Sequence, residues 1–351
     1  MKRRVAVFSV VPSPYQRDLF AALARRTELD LHVFYLEAAS PDSPWPEKPL
    51  APYERVLPGF WVSLRGARVH LNWSLPDVRD FDLVVVNTLM SLTAQWLMRG
   101  PLRTKPWIFL GEKLGQRGGW HDWLAAPLHH AVGIAAIGTW AQRDYAERFP
   151  EPRSFCLPYF CDLAGFLAQP RHVLKDEPVF LFCGQMIARK GVDSLLAAFA
   201  GLERGRLLLV GREAELPRWL EALPPAIRAR VEVAGFQPPE ALSSFFAQAD
   251  VFVLPSRYDG WGVVVNQALG AGLPVICSDQ VGAGYDLVDD TNGAKFRAGD
   301  ADSLADAMCR FVDAPDLIAS AGEASRSKAR ELAPEAGAAR WIEAIETVLA
   351  R

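Results

Sequence analysis

Cysteine is scarce in this chain, and an excess of either charge is lacking. The five cysteines, Cys156, Cys161, Cys183, Cys277 and Cys309, are odd in number and include no C-x-x-C pair. That argues against a disulfide framework or a zinc site and fits a reducing cytosol with buried thiols. The six histidines show no ligand spacing: His32 and His70 stand alone, His121, His129 and His130 share one helical region, and His172 lies in an irregular stretch. No metal site is expected. With 38 Lys and Arg against 41 Asp and Glu, the net charge of −3 leaves no broad basic surface for nucleic acid.

Long apolar runs are also missing. The start, MKRRVAVFSV, carries an apolar stretch at 5–11 that is too short for a signal peptide and runs into Pro-Ser-Pro-Tyr without a small-residue cleavage site. It reads as a first strand. The longest stretch free of Asp, Glu, Lys and Arg, 123–142, contains Pro127, His129, His130, Gly133 and Gly138, so it reads as a helix followed by a buried strand and not as a membrane span.

What the sequence does contain is a repeated alternation of short apolar runs and longer amphipathic ones, the pattern of βαβ units with helices over a parallel sheet. In the first half, strands are predicted at 5–10, 31–36, 83–87, 107–110 and 134–137, with helices at 15–26 and 91–98. The second half repeats the scheme, with strands at 179–183, 207–210, 231–234, 251–254 and 275–277 and helices at 192–199, 239–248 and 263–271. The stretch 157–178, with Pro158, Pro170 and Pro178, reads as the linker. Domains are expected at 1–165 and 166–333, with a last helix at 334–351 packing back toward the first.

The halves differ in charge. Residues 1–170 carry 19 basic and 16 acidic side chains, the remainder 19 and 25. Eight of eleven tryptophans precede residue 150, and Trp96, Trp107, Trp120 and Trp123 fall near Arg99, Arg103 and Lys105. That mixture suits a membrane interface, and it equally suits a core or an acceptor groove.

Two segments carry chemistry. In 180–191, a buried strand runs through Gly184 and Gln185 to Arg189, Lys190 and the start of a helix, where unpaired N–H groups and adjacent cations suit a phosphate or diphosphate. An Arg-Lys pair on a solvated face is the ordinary alternative. In 255–278, Asp259 precedes Gly260, Trp261 and Gly262, whose bare backbone feeds a helix opening at Val263. Gln267, one turn on, shares a face with Val263 and suits a polyol such as ribose.

These segments resemble the retaining, sugar-nucleotide-dependent glycosyltransferases of family 4, of GT-B fold and of the type that builds bacterial surface polysaccharide and lipopolysaccharide. GQMIARKG is similar to the family's G-R-L-x-x-x-K-G, and DGWGVVVNQALGAGLPVICSD to its E-x-F-G-x-x-x-x-E-A-x-A-x-G-x-P-V. The opening VPSPYQRDLFAALA is similar to that of bacterial members. The resemblance implies that the second half binds the donor, with Lys190 on the diphosphate and the backbone around Gly260, Trp261 and Gly262 on sugar and phosphate. Asp259 stands for the first Glu of a Glu-x7-Glu pair, which contacts the transferred sugar. Gln267 stands for the second, which accepts from ribose hydroxyls, and Gln185 for a phosphate-binding Arg, so both exchanges remove a charge-assisted bond. Arg189 is placed to compensate. Gly235 and Phe236, after a strand, are a seat for a uracil or guanine base.

On the acceptor side, relatives carry a His after the strand at 107–110; here Gly111 and Glu112 stand there, with Glu112 offered to an acceptor hydroxyl. Ser13, Pro14, Tyr15 and Arg17 follow the first strand and, by the rule for carboxyl ends of strands, join the acceptor contacts, with helix capping as the alternative. The resemblance thus implies an α/β protein of two Rossmann-like domains facing across a cleft. A sugar passes with retention from a UDP- or GDP-linked donor to a hydroxyl of a glycan or lipid-linked saccharide, by front-face departure and attack, without an enzymic nucleophile, metal or cofactor. The expected place is the cytoplasm, peripherally at the membrane. The Gln185 and Gln267 exchanges keep a non-catalytic scaffold open. An NAD enzyme lacks its G-x-G-x-x-G after the first strand, and a sugar-nucleotide epimerase would not be expected to show the DGWG segment.

Overall fold

The computed structural model describes residues 2–39, 48–64, 67–115, 117–170 and 177–350. The chain divides into two compact units, one of residues 1–161 with 334–351 and one of 162–333. Of the linker expected over 157–178, residues 171–176, with His172, lie outside the described residues.

The first unit is built on a seven-stranded sheet, all parallel. Its order is Glu54–Val56, Leu29–Tyr35, Arg3–Ser9, Leu83–Val86, Trp107–Gly111, Gly133–Ala136 and Arg153–Cys156. The second unit repeats the plan with six parallel strands, ordered Val231–Gly235, Arg206–Val210, Val179–Cys183, Val251–Leu254, Val275–Ser278 and Gly293–Phe296. Helices cover both faces of such sheets, so the central strands are apolar at every position instead of alternating. Leu83–Val86 and Val251–Leu254 are buried throughout. In each unit the order reverses beside the first strand of its sheet, which marks the carboxyl ends of Arg3–Ser9 and Leu83–Val86, and of Val179–Cys183 and Val251–Leu254, as ligand-binding places.

The stretch 123–142 forms helix Trp120–Ala125, a 3-10 turn at Ala126–His130, strand Gly133–Ala136 and the start of helix Thr139–Arg148. No helix among the described residues is long and apolar enough to cross a membrane. The helix Pro334–Leu349 belongs to the first unit, where it packs on helix Pro14–Ala24 with Trp341 buried. Gly337 makes that seat: a Cβ there would stand 2.4 Å from the Phe160 ring. A two-stranded antiparallel ribbon, Gly59–Leu64 paired with Ala67–Asn72, stands apart from the main sheet and had no counterpart in the sequence reading.

One buried ion pair ties helix Pro14–Ala24 to the edge strand. Arg17 grips Glu54 with two hydrogen bonds of 2.9 and 2.6 Å, Tyr35 donates to the same carboxylate at 2.7 Å, and the Ala51 N–H at 2.8 Å. Burial pushes the Glu54 carboxyl upward, but the bonds from Arg17 and Tyr35 outweigh it and hold the group below the ordinary glutamate range. Its contribution to stability is therefore present at neutral pH and lost as pH falls through that lowered value. Glu54→Ala strands the Arg17 cation and is expected to cost the first unit about 3–5 kcal/mol. Urea denaturation read at pH 7 and pH 4 checks this, with the difference from wild type shrinking at the lower pH.

Candidate functional site

In the second unit the strand Val179–Cys183 ends at Gly184, where three strand ends meet on bare backbone. The Gly184 N–H donates to the Val210 carbonyl at 2.9 Å and the Gly211 N–H to the Gly235 carbonyl at 2.8 Å. A Cβ at Gly211 would stand 2.0 Å from the Gly184 carbonyl oxygen. The chain then makes a 3-10 turn at Ala188–Lys190 and enters helix Val192–Ala200 through Gly191, whose φ of +71° and approach to the Pro255 carbonyl leave no room for a side chain. A Cβ there would lie 1.9 Å from that oxygen.

This close approach brings together the loops that follow the two central strands. Lys190 Nζ donates to Asp259 Oδ2, and both side chains are largely buried. Ser256 Oγ donates to the same carboxylate oxygen at 3.4 Å, and Ser278 Oγ to the Ser256 carbonyl at 2.5 Å. Asp259 is anchored by its own backbone, its N–H to Gln280 O at 2.9 Å and its carbonyl to the Gly282 N–H at 3.0 Å. Arg257 crosses back, donating to both Asp193 oxygens at 2.7 Å and to the Ala188 carbonyl. Burial raises the Asp193 carboxyl, and the Arg257 hydrogen bonds more than offset it, so the group sits below its usual range.

The helix Val263–Ala271 opens at Gly262, which has φ +91°. Its first turn points N–H groups outward from the strand end, as an anion or sugar site needs. Gln267 is half-buried, and its Oε1 is buried with no hydrogen-bond partner among the described residues. Such an acceptor calls for a donor from outside the chain. Trp261 contributes only main chain. Its ring is fully buried, with Nε1 donating to Asn266 Oδ1 at 3.0 Å. Arg189 is exposed and donates through Nη1 to the Tyr258 carbonyl at 3.0 Å, fastening one loop to the other. Gln185 is half-buried, and its carbonyl accepts from the Ile187 N–H at 3.0 Å. Gly235 has φ +67°, and Phe236 beside it is exposed. Cys183, at the base of the site, is a buried thiol pushed up to about 12 by loss of solvent, so it stays neutral.

In the first unit a cavity of about 440 Å³ lies at the carboxyl ends of Leu83–Val86, Trp107–Gly111 and Gly133–Ala136. Among its lining residues are Asn87, Glu112, His121, Tyr145, Arg148 and Tyr159. Tyr159 donates to Glu112 Oε1 at 3.3 Å, Tyr145 to the Glu112 carbonyl at 2.8 Å, and Tyr15 packs edge-on against Tyr159 with centroids 4.9 Å apart. Asn87 Oδ1 is buried without a hydrogen-bond partner among the described residues.

Glu112 and Tyr15 are thus brought toward one cavity, and the neighbouring expectations are corrected. Ser13 is buried, with its hydroxyl donating to Gln16 at 3.0 Å, Pro14 opens the helix, and Arg17 is spent on Glu54. These three hold the helix in place. Sequence reasoning missed the roles of Arg257, Ser256, Asn87, Tyr145 and Tyr159; Ser256 and Arg257 lay within the 255–278 segment and Asn87 at a predicted strand end, whereas Tyr145 and Tyr159 carried no signal. Among the described residues no cluster of three His, Cys, Asp or Glu side chains could hold a metal. Asp289 and Asp290 form a turn, with Asp289 bonded to Thr291 and paired to Lys328 at 2.7 Å.

Residues 177–314 match the family model described as glycosyl transferases group 1. Over 153 residues the chain is 33% identical to the alpha-D-kanosaminyltransferase of Streptomyces kanamyceticus, covering 42% of this chain and 39% of that protein. Over 138 residues it is 31% identical to a lipopolysaccharide core biosynthesis glycosyltransferase of Rhizobium meliloti, covering 39% and 40%. The chain therefore spans about two fifths of the length of these curated relatives. Over 99% of its length it superposes on the whole of sucrose-phosphate synthase from Thermosynechococcus elongatus, with a TM-score of 0.77 at 21% identity. The Anabaena HepE protein in complex with UDP gives 0.74 at 14% identity, over 99% of this chain and all of that one. The fold is GT-B, with two Rossmann-like halves.

Because the two loops touch through Gly191, Gly191→Ala is expected to separate them. The second unit should lose more than about 1.4 kcal/mol of stability, since a strained φ and a backbone clash add together. Urea denaturation of the variant beside wild type checks this, and unchanged stability would show that the loops do not depend on the Gly191 contact.

Proposed function

We propose that this protein is a retaining hexosyltransferase that moves a sugar from a UDP- or GDP-linked donor to a hydroxyl of a glycan or lipid-linked saccharide in surface polysaccharide or lipopolysaccharide synthesis. The observation that carries the reading is the meeting of Lys190, Asp259 and the helix opening at Gly262, with an unpartnered Gln267 acceptor one turn along. The group 1 match over this unit, the UDP held by a protein of the same fold, and a relative named for lipopolysaccharide core synthesis support it.

In this reading Lys190 and the N–H groups of the helix that opens at Gly262 take the charge that grows on the leaving diphosphate. Arg189 adds a second cation at the rim. Gln267 Oε1 accepts from a ribose hydroxyl, and the main chain at Gly235 and Phe236 meets the base. Asp259 gives up part of its bond to Lys190 when donor arrives and turns to a hydroxyl of the transferred sugar. The acceptor belongs in the first-unit cavity, where Glu112 takes a hydrogen bond from an acceptor hydroxyl and Tyr15 and Tyr159 wall the opening. The leaving group departs on the face that the acceptor attacks, so no side chain becomes covalently bound, and charge neutralisation by Lys190 and the helix start replaces a metal. The protein works in the cytoplasm, against the inner face of the membrane.

The Gln185 and Gln267 exchanges favour one second reading, a scaffold that binds nucleotide without transfer. Calorimetry with UDP, GDP and their sugar conjugates, followed by turnover with saccharide acceptors, separates the two. Lys190→Ala is expected to lower turnover at least about a hundredfold, the scale of losing one preorganised charge donor. Wild-type turnover in that variant would reject the role. Gln267→Ala should weaken nucleotide binding by about tenfold through loss of one buried hydrogen bond. Excess EDTA is expected to leave binding and turnover unchanged, and dependence on added divalent metal would overturn the metal-independent mechanism.

A further inference from the structure

The ribbon of the first unit has one face made only of apolar side chains. Side chains alternate along a strand, so Phe60, Val62 and Leu64 share a face, and the register sets Phe60 opposite Leu71 and Val62 opposite Val69. All six residues of Gly59–Leu64 are exposed. The opposite face is tied down: His70 is buried, Arg68 pairs with Glu37 at 2.9 Å and lies over the Trp61 ring at 4.8 Å. The ribbon is also stitched to helix Leu92–Arg99, where Thr93 Oγ1 accepts from the Asn72 N–H at 2.8 Å. Its apolar face is therefore held outward on a fixed support.

The apolar surface continues past the ribbon. Phe60 packs against Trp73 with centroids 6.3 Å apart, and a groove of about 830 Å³ lined by Leu71, Trp73, Leu92, Trp96 and Arg99 separates ribbon and helix. Trp73, Trp96 and Trp123 are 55%, 58% and 58% exposed. The Arg99 guanidinium lies 4.0 Å over the Trp123 ring and donates to the Trp123 carbonyl. A soluble surface rarely leaves so much contiguous apolar area uncovered.

Charge decides what covers it. Stretches 59–75 and 91–105 contain no Asp or Glu, whereas Arg99, Arg103 and Lys105 sit at the end of the helix and beyond. The carboxylate beside Trp123, Asp122, is paired with Arg148 at 3.2 Å, so a second copy placed symmetrically would bring an excess of cations against the same excess. An anionic bilayer offers what the patch lacks: an apolar layer for Phe60, Val62, Leu64 and Leu71, an interface for the tryptophans, and negative headgroups for the cations.

We propose that the ribbon Gly59–Leu64/Ala67–Asn72, with Trp73, Trp96 and Trp123, is a docking surface for anionic membrane. It specifies the contact by which the reading above sets the protein at a membrane, and it is tested without the transfer reaction. Purified full-length protein is sedimented with vesicles of phosphatidylcholine alone or of equimolar phosphatidylcholine and phosphatidylglycerol. Wild type is expected to bind the anionic vesicles, less at high salt, and the zwitterionic ones weakly. Trp73→Ser with Trp96→Ser should lower partition by about tenfold, and Arg99→Glu should lower it on anionic vesicles only. Trp219→Ser, in the second unit, should change nothing. Circular dichroism melting checks that the variants fold. Absent binding to anionic vesicles, or binding that the folded double variant retains, overturns the proposal. So does concentration-dependent dimerisation that the double variant abolishes while vesicles bind neither, which would assign the face to a second copy. Nucleotide titration of the same samples reports separately on the donor site.

Discussion

A missing side chain at Gly191 governs the second unit. The two central strands end side by side, and their loops share a ligand only if one main chain can pass against the other. Gly191 makes that passage at Pro255, where any Cβ would fall on the carbonyl oxygen. From this contact the charges take their places. Lys190 immediately before it reaches Asp259, while Arg257 two residues beyond Pro255 returns to Asp193 and Ala188. The two bridges run in opposite directions between the same loops. Each loop therefore supplies a cation to the other's carboxylate, and neither can shift without breaking both.

This pairing has a consequence for ligand binding. A lysine at the opening of a helix faces the positive end of its dipole, which alone is unfavourable. Asp259 beside it and Asp193 in the first turn offset that cost in the empty protein. A diphosphate is a stronger acceptor than one carboxylate because several of its oxygens can meet Lys190 and the N–H groups at once. In the proposed reading it displaces Asp259 from part of its bond, leaving the carboxylate to accept from a sugar hydroxyl. On that proposal the same residue offsets the Lys190 charge in the empty site and orients the occupied one.

Most of this frame was legible in the sequence. Parallel strands buried on both faces read as unbroken apolar runs, and strands Val179–Cys183 and Val251–Leu254 and helix Val263–Ala271 were read residue for residue. The edge strands Glu54–Val56, Arg153–Cys156 and Gly293–Phe296 were missed because three or four residues with charged members carry no such run. The ribbon escaped for a different reason: Phe60, Trp61 and Val62 run together in Gly59–Leu64, so its first strand lacks the alternation by which a strand is recognised, and Ala67–Asn72 alone is a short signal. Arg17 looked available because its partner stands 37 positions away on another strand, and Tyr159 lay hidden in the supposed linker. Motifs report what the backbone must do locally. They are silent on which distant side chain consumes a charge.

The two glutamines are better understood together than singly. The family pattern that the sequence resembles would place a cation at 185 and a carboxylate at 267, so replacing both leaves the net charge of the site unchanged. What changes is the cost of the empty state. A buried carboxylate at 267 without a partner would carry a larger desolvation penalty than an amide. Gln267 keeps one acceptor oxygen aimed inward, buried and unpartnered, at the smaller penalty of a neutral group. In the proposed reading the exchange relaxes the unoccupied site and places the burden of donor binding on Lys190 and on the backbone that Gly191 and Gly262 bring within reach.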